Sequence, residues 1–277
     1  VSITRINGIR LFWELRGESG DLLVLVHGSW GNHHNWDRVV PAFERSFRVL
    51  TYDRRGHSES ERPPGQGRVV EDAADLAGLI EHAGLGPAHI AGNSFGASIV
   101  LRLAGERPDL FRCLIAHEPP LFRLLEREPA ARTALAAVNE RIAAVVALLE
   151  AGDHPAAART FVETLAFGPG AWERFGPEQR EMFIFNAVTW LDEMRDPGSL
   201  TIDLEKLRGF SSPALLTLGG QSPPFFPLVV GMIAEKMPIA VTDTFPGAGH
   251  VPQMSHPDDY VARVTGFVEE VTRGLRG

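Results

Sequence analysis

Short apolar runs alternate with longer stretches of helical spacing along most of this chain. Leu22 to Val26, Arg48 to Tyr52, Ala88 to Ala91, Arg112 to Ala116, Ala214 to Leu218 and Ala240 to Phe245 are short and apolar, and most end in Gly or polar residues. Strands buried on both faces of a parallel sheet have this pattern. Between them, Val69 to Ala83, Phe95 to Arg107, Leu228 to Met237 and Asp258 to Leu275 carry apolar residues at helical spacing. The alternation predicts a doubly wound α/β sheet, in which ligands bind at the carboxyl ends of the strands. Ahead of it, Ile3 to Ile6 and Arg10 to Leu15 flank Asn7-Gly8, which predicts an antiparallel hairpin with a type I′ turn.

One interval breaks the rhythm. Pro119 to about Lys206 holds no convincing strand, but helical stretches run over Ala130 to Ala151, Pro155 to Ala166 and Pro177 to Arg195. This predicts a helical cap over residues 119–206, inserted after the sixth strand, with residues 1–118 and 207–277 forming the core. Because the interval leaves one strand end and returns before another, the cap lies over the carboxyl edge of the sheet. Its aromatic residues, among them Phe122, Phe161, Phe183 and Trp190, supply apolar surface for packing and for a pocket.

The chemistry centres on Gly92-Asn93-Ser94-Phe95-Gly96. A G-x-S-x-G pentapeptide between a strand and a helix makes a tight, strained turn that presents the serine hydroxyl as a nucleophile. His89-Ile90-Ala91 reads as the strand before it, the apolar spacing from Phe95 as the helix after it, and Pro108 as the stop. A serine needs a neutral imidazole to take its proton and a carboxylate to orient that imidazole. His250 ends the Gly-rich loop Phe245 to His250 after the last predicted strand, and chain order favours it as the base. His27, His57, His89, His117 and His256 read as structural. The oxyanion needs fixed N–H donors. Phe95, at the helix start, supplies one, and Ser29, in the loop His27 to Gly31 after the strand Leu22 to Val26, supplies the other from its main chain. The Ser29 hydroxyl is expected to make only a local turn hydrogen bond, and Trp30 is expected to wall the pocket.

Together and in this order, the His27 to Gly31 loop, the stretch Tyr52 to Ser58, the elbow at Ser94 and Gly249-His250 resemble the α/β-hydrolase fold over essentially the whole chain. The resemblance implies a mostly parallel eight-stranded sheet, a serine-hydrolase triad, and loop-stabilising roles for Asp53 and His57. The family commonly places its acid after the seventh strand, but that loop here reads Gly219-Gly220-Gln221-Ser222-Pro223-Pro224, without a carboxylate. Glu118, at the end of the sixth strand, keeps the Ser, acid, His order; its other reading is a helix-terminus charge at the cap. Asp243, Asp258 and Asp259 are weaker rivals. His117-Glu118-Pro119-Pro120 and Ser222-Pro223-Pro224-Phe225-Phe226 resemble the zearalenone-lactonase type, whose triad glutamate follows the sixth strand, and Trp190 and Phe225 are expected to face substrate. The elbow's Asn93 and Phe95 and the histidine-led oxyanion loop differ from that group, so its substrate does not carry over.

These residues point to a cofactor-independent serine hydrolase acting on an ester or lactone of a bulky, largely apolar small molecule. Carbon-carbon bond hydrolysis and cofactor-free peroxidase chemistry share the scaffold, and a ligand-binding protein or non-hydrolytic cyclase is the alternative of another class. A serine at the elbow disfavours epoxide hydrolase and haloalkane dehalogenase chemistry, which uses a carboxylate nucleophile. No metal is expected, because no ligand spacing such as H-E-x-x-H occurs, and no G-x-G-x-x-G dinucleotide fingerprint is present. With 277 residues, 44% of them hydrophobic, and a net charge of -8, the chain can bury a large core and has no basic surplus for nucleic acid or anionic membrane. The single cysteine, Cys113, cannot form an internal disulfide and reads as a small buried hydrophobe. No apolar run approaches the roughly 18 residues of a membrane span, and a cytoplasmic enzyme is the expectation.

Overall fold

The computed structural model describes residues 1–237 and 239–274. Eight strands form one sheet: β1 (Ser2–Ile6), β2 (Ile9–Arg16), β3 (Leu22–Val26), β4 (Arg48–Tyr52), β5 (Ala88–Asn93), β6 (Phe111–His117), β7 (Ala214–Gly219) and β8 (Ala240–Phe245). Their spatial order is β1-β2-β4-β3-β5-β6-β7-β8. β2 pairs antiparallel with β1 and β4, and every other pairing is parallel. The hairpin turn has positive φ at both Asn7 (46°) and Gly8 (87°), as a type I′ turn requires.

The core helices are α1 (Val40–Phe43), α2 (Val69–Ala83) and α3 (Phe95–Glu106). The insertion after β6 contributes α4 (Arg132–Glu150), α5 (His154–Phe161), α6 (Ala171–Arg174) and α7 (Pro177–Arg195), and α8 (Phe225–Lys236), α9 (Pro252–Ser255) and α10 (Pro257–Gly274) return to the core. α8 starts one turn before the expected Leu228, because Pro227 is tolerated in a first turn. Leu275, the expected end of α10, lies outside the described residues.

Because strand side chains alternate, the sheet buries two separate layers. Leu22, Val24 and Val26 pack with α2, α3 and α8, while Leu23 and Leu25 pack with Cys113, Phe43, Tyr260 and Phe267 on the opposite face. A third cluster fills the insertion, where Val145, Ala158, Trp172, Phe183 and Trp190 close around Trp30 from the core. β3 is flanked by β4 on one side and β5 on the other. The chain leaves these strands in opposite directions, opening a crevice at their carboxyl ends, and the insertion covers it. Among the described residues, no helix is long and apolar enough to cross a membrane.

Candidate active site

Ser94 stands between β5 and α3 with φ 55° and ψ −126°, a region costly for a residue with a Cβ. The surroundings hold it there. Its N–H donates to the His117 carbonyl at 2.9 Å, and its own carbonyl accepts from Ala97 at 2.9 Å. The elbow glycines are required by space: a Cβ on Gly92 would lie 2.5 Å from the Gly96 carbonyl oxygen, and one on Gly96 would lie 2.2 Å from that of Val26. Phe95 opens α3, whose first N–H groups have no intrahelical acceptor.

Glu118 follows β6, fully buried and with φ 45°. Its Oε2 lies 2.7 Å from His250 Nδ1, and its Oε1 accepts from the Gly219 N–H at 2.7 Å. Burial alone would raise its pKa, but the hydrogen bond and charge of His250 outweigh this and hold the carboxyl below its ordinary value. An ionised Glu118 can only accept, so the shared proton sits on Nδ1 and the lone pair of Nε2 is left for another donor. Phe226 of α8 stacks on the His250 ring, with centroids 4.9 Å apart and planes at 17°. The elbow also grips the histidine loop directly, since Asn93 Nδ2 donates to the His250 carbonyl at 2.8 Å and Gln253 donates to Asn93 Oδ1 at 3.2 Å.

His117 lies beside this pair. Its Nδ1 is 3.0 Å from Thr217 Oγ1, and burial pushes its pKa down to about 3, so the ring is neutral. Ligand atoms of His117, Glu118 and His250 lie within 4.8 Å of one another, but both Glu118 oxygens and His250 Nδ1 are already committed to hydrogen bonds. Ser222, where the family usually has its acid, has a buried hydroxyl near enough to Glu118 to help hold its carboxyl down, although not in good hydrogen-bond geometry. The rival carboxylates lie elsewhere. Asp243 pairs with Arg263 on the surface, and Asp258 and Asp259 begin α10.

A cavity brings Ser29, Ser94, Phe95 and His250 together with Phe122, Ile142, Phe161, Trp190, Phe225 and Phe226. Trp190 and Phe225 thus face it. Trp30 does not: it is fully buried behind Phe161, on which it stacks at 4.6 Å and 16°, and behind Trp190 at 5.6 Å. Trp30, expected to wall the pocket, instead packs within the cap cluster, with φ 65°. Beyond Leu165, Ala166 and His250 the cavity meets an outer groove, with Arg141, Glu163 and Arg174 in its lining.

The Ser29 hydroxyl also departs from expectation. It makes no local turn bond but donates to Glu193 Oε2 of α7 at 2.5 Å. The other Glu193 oxygen accepts from Arg54 Nη2 at 2.8 Å, and Arg54 Nε donates to Asp72 at 3.0 Å. All these ionisable groups are buried. Burial raises the pKa of both carboxyls, against the opposing charge of Arg54. The Arg54 guanidinium also lies 4.7 Å over the Phe95 ring. Glu193 and Arg54 were not foreseen from the sequence. The available signal was an acid at helical spacing from Trp190, within a face that the cap turns inward.

A family model described as alpha/beta hydrolase fold matches residues 21–257. A zearalenone hydrolase of Cladophialophora bantiana is 28% identical over 280 residues, covering 96% of this chain and 94% of its own. Two other curated relatives are matched less fully, the chain spanning only 28% and 45% of their lengths. Among solved structures, an enol-lactonase from Burkholderia xenovorans superposes with a TM-score of 0.78 at 19% identity, covering 97% of this chain and 100% of that one. A thermophilic esterase from Thermogutta terrifontis gives a TM-score of 0.74 at 26% identity, with 97% of each chain covered. With the family model matched from β3 to the start of α10, and the sheet order and post-β6 insertion described above, the chain belongs to the α/β-hydrolase fold family.

Proposed function

We propose that the protein is a serine hydrolase that cleaves an ester or lactone of a bulky, largely apolar small molecule through an acyl-serine intermediate. One observation carries this reading: an ionised, buried Glu118 holds His250 in the Nδ1–H tautomer, and that histidine shares an apolar cavity with the strained Ser94.

In this reading His250 Nε2 takes the Ser94 proton as Oγ attacks the carbonyl carbon. The N–H groups of Ser29 and Phe95 hold the oxyanion, and Glu118 stabilises the imidazolium. The imidazolium then protonates the leaving alkoxide, and water activated by the freed imidazole hydrolyses the acyl-serine. The apolar lining favours a hydrophobic acyl group, and the enzymes similar to this chain, a zearalenone hydrolase and an esterase, support ester or lactone chemistry. The test is hydrolysis of an activated ester with mass-spectrometric trapping of the acyl-enzyme on Ser94. Turnover is expected, with its loss in Ser94→Ala. Undiminished turnover in Ser94→Ala overturns the reading.

A further inference from the structure

Helix α7 turns a polar row onto the core beside its apolar residues. Asn186, Thr189 and Glu193 are buried and share a face with Trp190 at helical spacing. Asn186 Nδ2 donates to the carbonyls of Trp30 at 3.2 Å and Gly31 at 3.0 Å, while its Oδ1 accepts from the Ser58 N–H at 2.8 Å. Thr189 donates to the Gly56 carbonyl at 2.8 Å. Glu193 joins the Ser29 hydroxyl to Arg54. Burying two carboxylates around one guanidinium is an inefficient route to stability, since apolar side chains of similar volume often serve as well. Thr189 and the Asn186 oxygen reach Gly56 and Ser58, while Glu193 and the Asn186 amide reach the segment Gly28 to Gly31.

That segment is held in one orientation. The Arg54 N–H donates to His27 Nε2 at 3.0 Å, so this nitrogen carries no proton, and burial keeps the ring neutral. The ring proton is therefore on Nδ1, which donates to the Gly28 carbonyl at 2.8 Å. Arg54 Nη1 approaches the same oxygen at 3.4 Å. In a planar trans peptide, a carbonyl turned toward His27 and Arg54 sends the next N–H the opposite way. That N–H belongs to Ser29, which lines the cavity with Ser94. One residue on, Trp30 has φ 65°, a strained conformation that persists only where surroundings over-determine it.

We propose that Glu193 and Asn186 are positioning residues that lock the Gly28 to Gly31 segment with the Ser29 N–H facing the oxyanion, so that the cap completes the catalytic apparatus. This rests on the hydrolase reading above. Neither side chain touches the reacting atoms in this scheme: Glu193 acts through the Ser29 hydroxyl, and Asn186 through the carbonyls of Trp30 and Gly31.

The test compares Glu193→Ala, Asn186→Ala and Ser29→Ala on the activated ester and with an alkyl boronic acid, which mimics the tetrahedral adduct. Loss of one oriented oxyanion donor lowers kcat on the order of 100-fold, and loosening it by about 10-fold or more. We expect Glu193→Ala and Asn186→Ala to lower kcat by about 10-fold or more with KM within about two-fold, and to weaken boronic acid binding in proportion. Ser29→Ala keeps the N–H but loses the tether, and falls in the same direction. Glu193→Gln, whose amide oxygen can still accept from Ser29, recovers part of the loss. Folded variants with unchanged kcat and boronic acid affinity, or with losses in KM alone, overturn the proposal. Should Glu193→Ala not fold, Ser29→Ala and Glu193→Gln are judged by the same readouts. Equal activity in Ser94→Ala and wild type is a separate outcome, since it removes the hydrolase reading itself.

Discussion

Glu118→Gln discriminates most sharply, because the substitution changes one atom in a fully buried site. In the wild type, Oε1 accepts from the Gly219 N–H at 2.7 Å and Oε2 meets His250 Nδ1 at 2.7 Å. A glutamine has only one oxygen for these two donors. If that oxygen stays with Gly219, the amide NH₂ faces Nδ1, which must then accept; the ring proton moves to Nε2 and the base is lost. If the amide flips, its NH₂ opposes the Gly219 N–H, and leaving such a buried donor unpaired costs about 1–3 kcal/mol. In both cases the imidazolium formed during the reaction loses its carboxylate. A charge pair at about 4 Å is worth about 4 kcal/mol at the effective dielectric of about 20 suited to such sites. At about 1.4 kcal/mol per decade, kcat should fall by about 10³-fold, approaching about 10⁴-fold when the tautomer penalty adds. The assay is steady-state hydrolysis of a chromogenic ester, with circular dichroism and thermal melting to establish that the variant folds. A folded Glu118→Gln enzyme within ten-fold of wild type in kcat, an upper bound set well below the expected ~10³-fold loss, refutes the assignment of Glu118 as the acid.

Ser222→Ala, at the family's usual acid position, should lower kcat far less than Glu118→Gln, because its hydroxyl adds only the least of the influences that hold the Glu118 carboxyl down; a fall as large would reassign the loop. Gly28→Ala places a Cβ 2.9 Å from the Ser94 Cβ and 3.1 Å from the Asn93 carbonyl oxygen. Such overpacking costs about 1–3 kcal/mol, so a lower melting temperature and an impaired nucleophile are expected, and wild-type turnover would show that the segment yields freely. His27 and His117 are each pushed down to about 3 by burial, whereas unfolded histidines protonate near pH 6.5. Between those values the unfolded chain binds more protons, so stability is lost as pH falls from about 6.5 towards 3, by about 2 kcal/mol per histidine at pH 5. Calorimetry should show a lower melting temperature at pH 5 than at pH 7, and equal values would contradict neutral burial. His250 lines both the inner cavity and the outer groove, so the leaving alcohol that it protonates should extend past Arg141 and Arg174. Esters of an anionic alcohol should then have a lower KM than neutral ones of the same acid, and the difference should vanish in the Arg141→Ala/Arg174→Ala double variant.

The elements and the strained turn at Ser94 were legible in the sequence because both are locally encoded. Buried strands and helices impose their own spacing on apolar residues, and the elbow needs glycine wherever a Cβ would meet the Gly96 or Val26 carbonyl. Motif order along the chain was likewise enough to nominate Ser94, His250 and Glu118. Tertiary structure decided which groups meet. Glu118 and His250 are 132 positions apart, Ser29 and Glu193 164 apart, and no local rule links such pairs. The indole of Trp30 and the hydroxyl of Ser29 depart from expectation for this reason: both meet side chains of a cap helix more than 150 residues away in sequence. Periodicity tells which face of α7 turns inward, but the rotation and depth at which that face docks depend on the whole packed interface. Only the folded chain therefore shows that its buried polar row reaches the Gly28 to Gly31 loop.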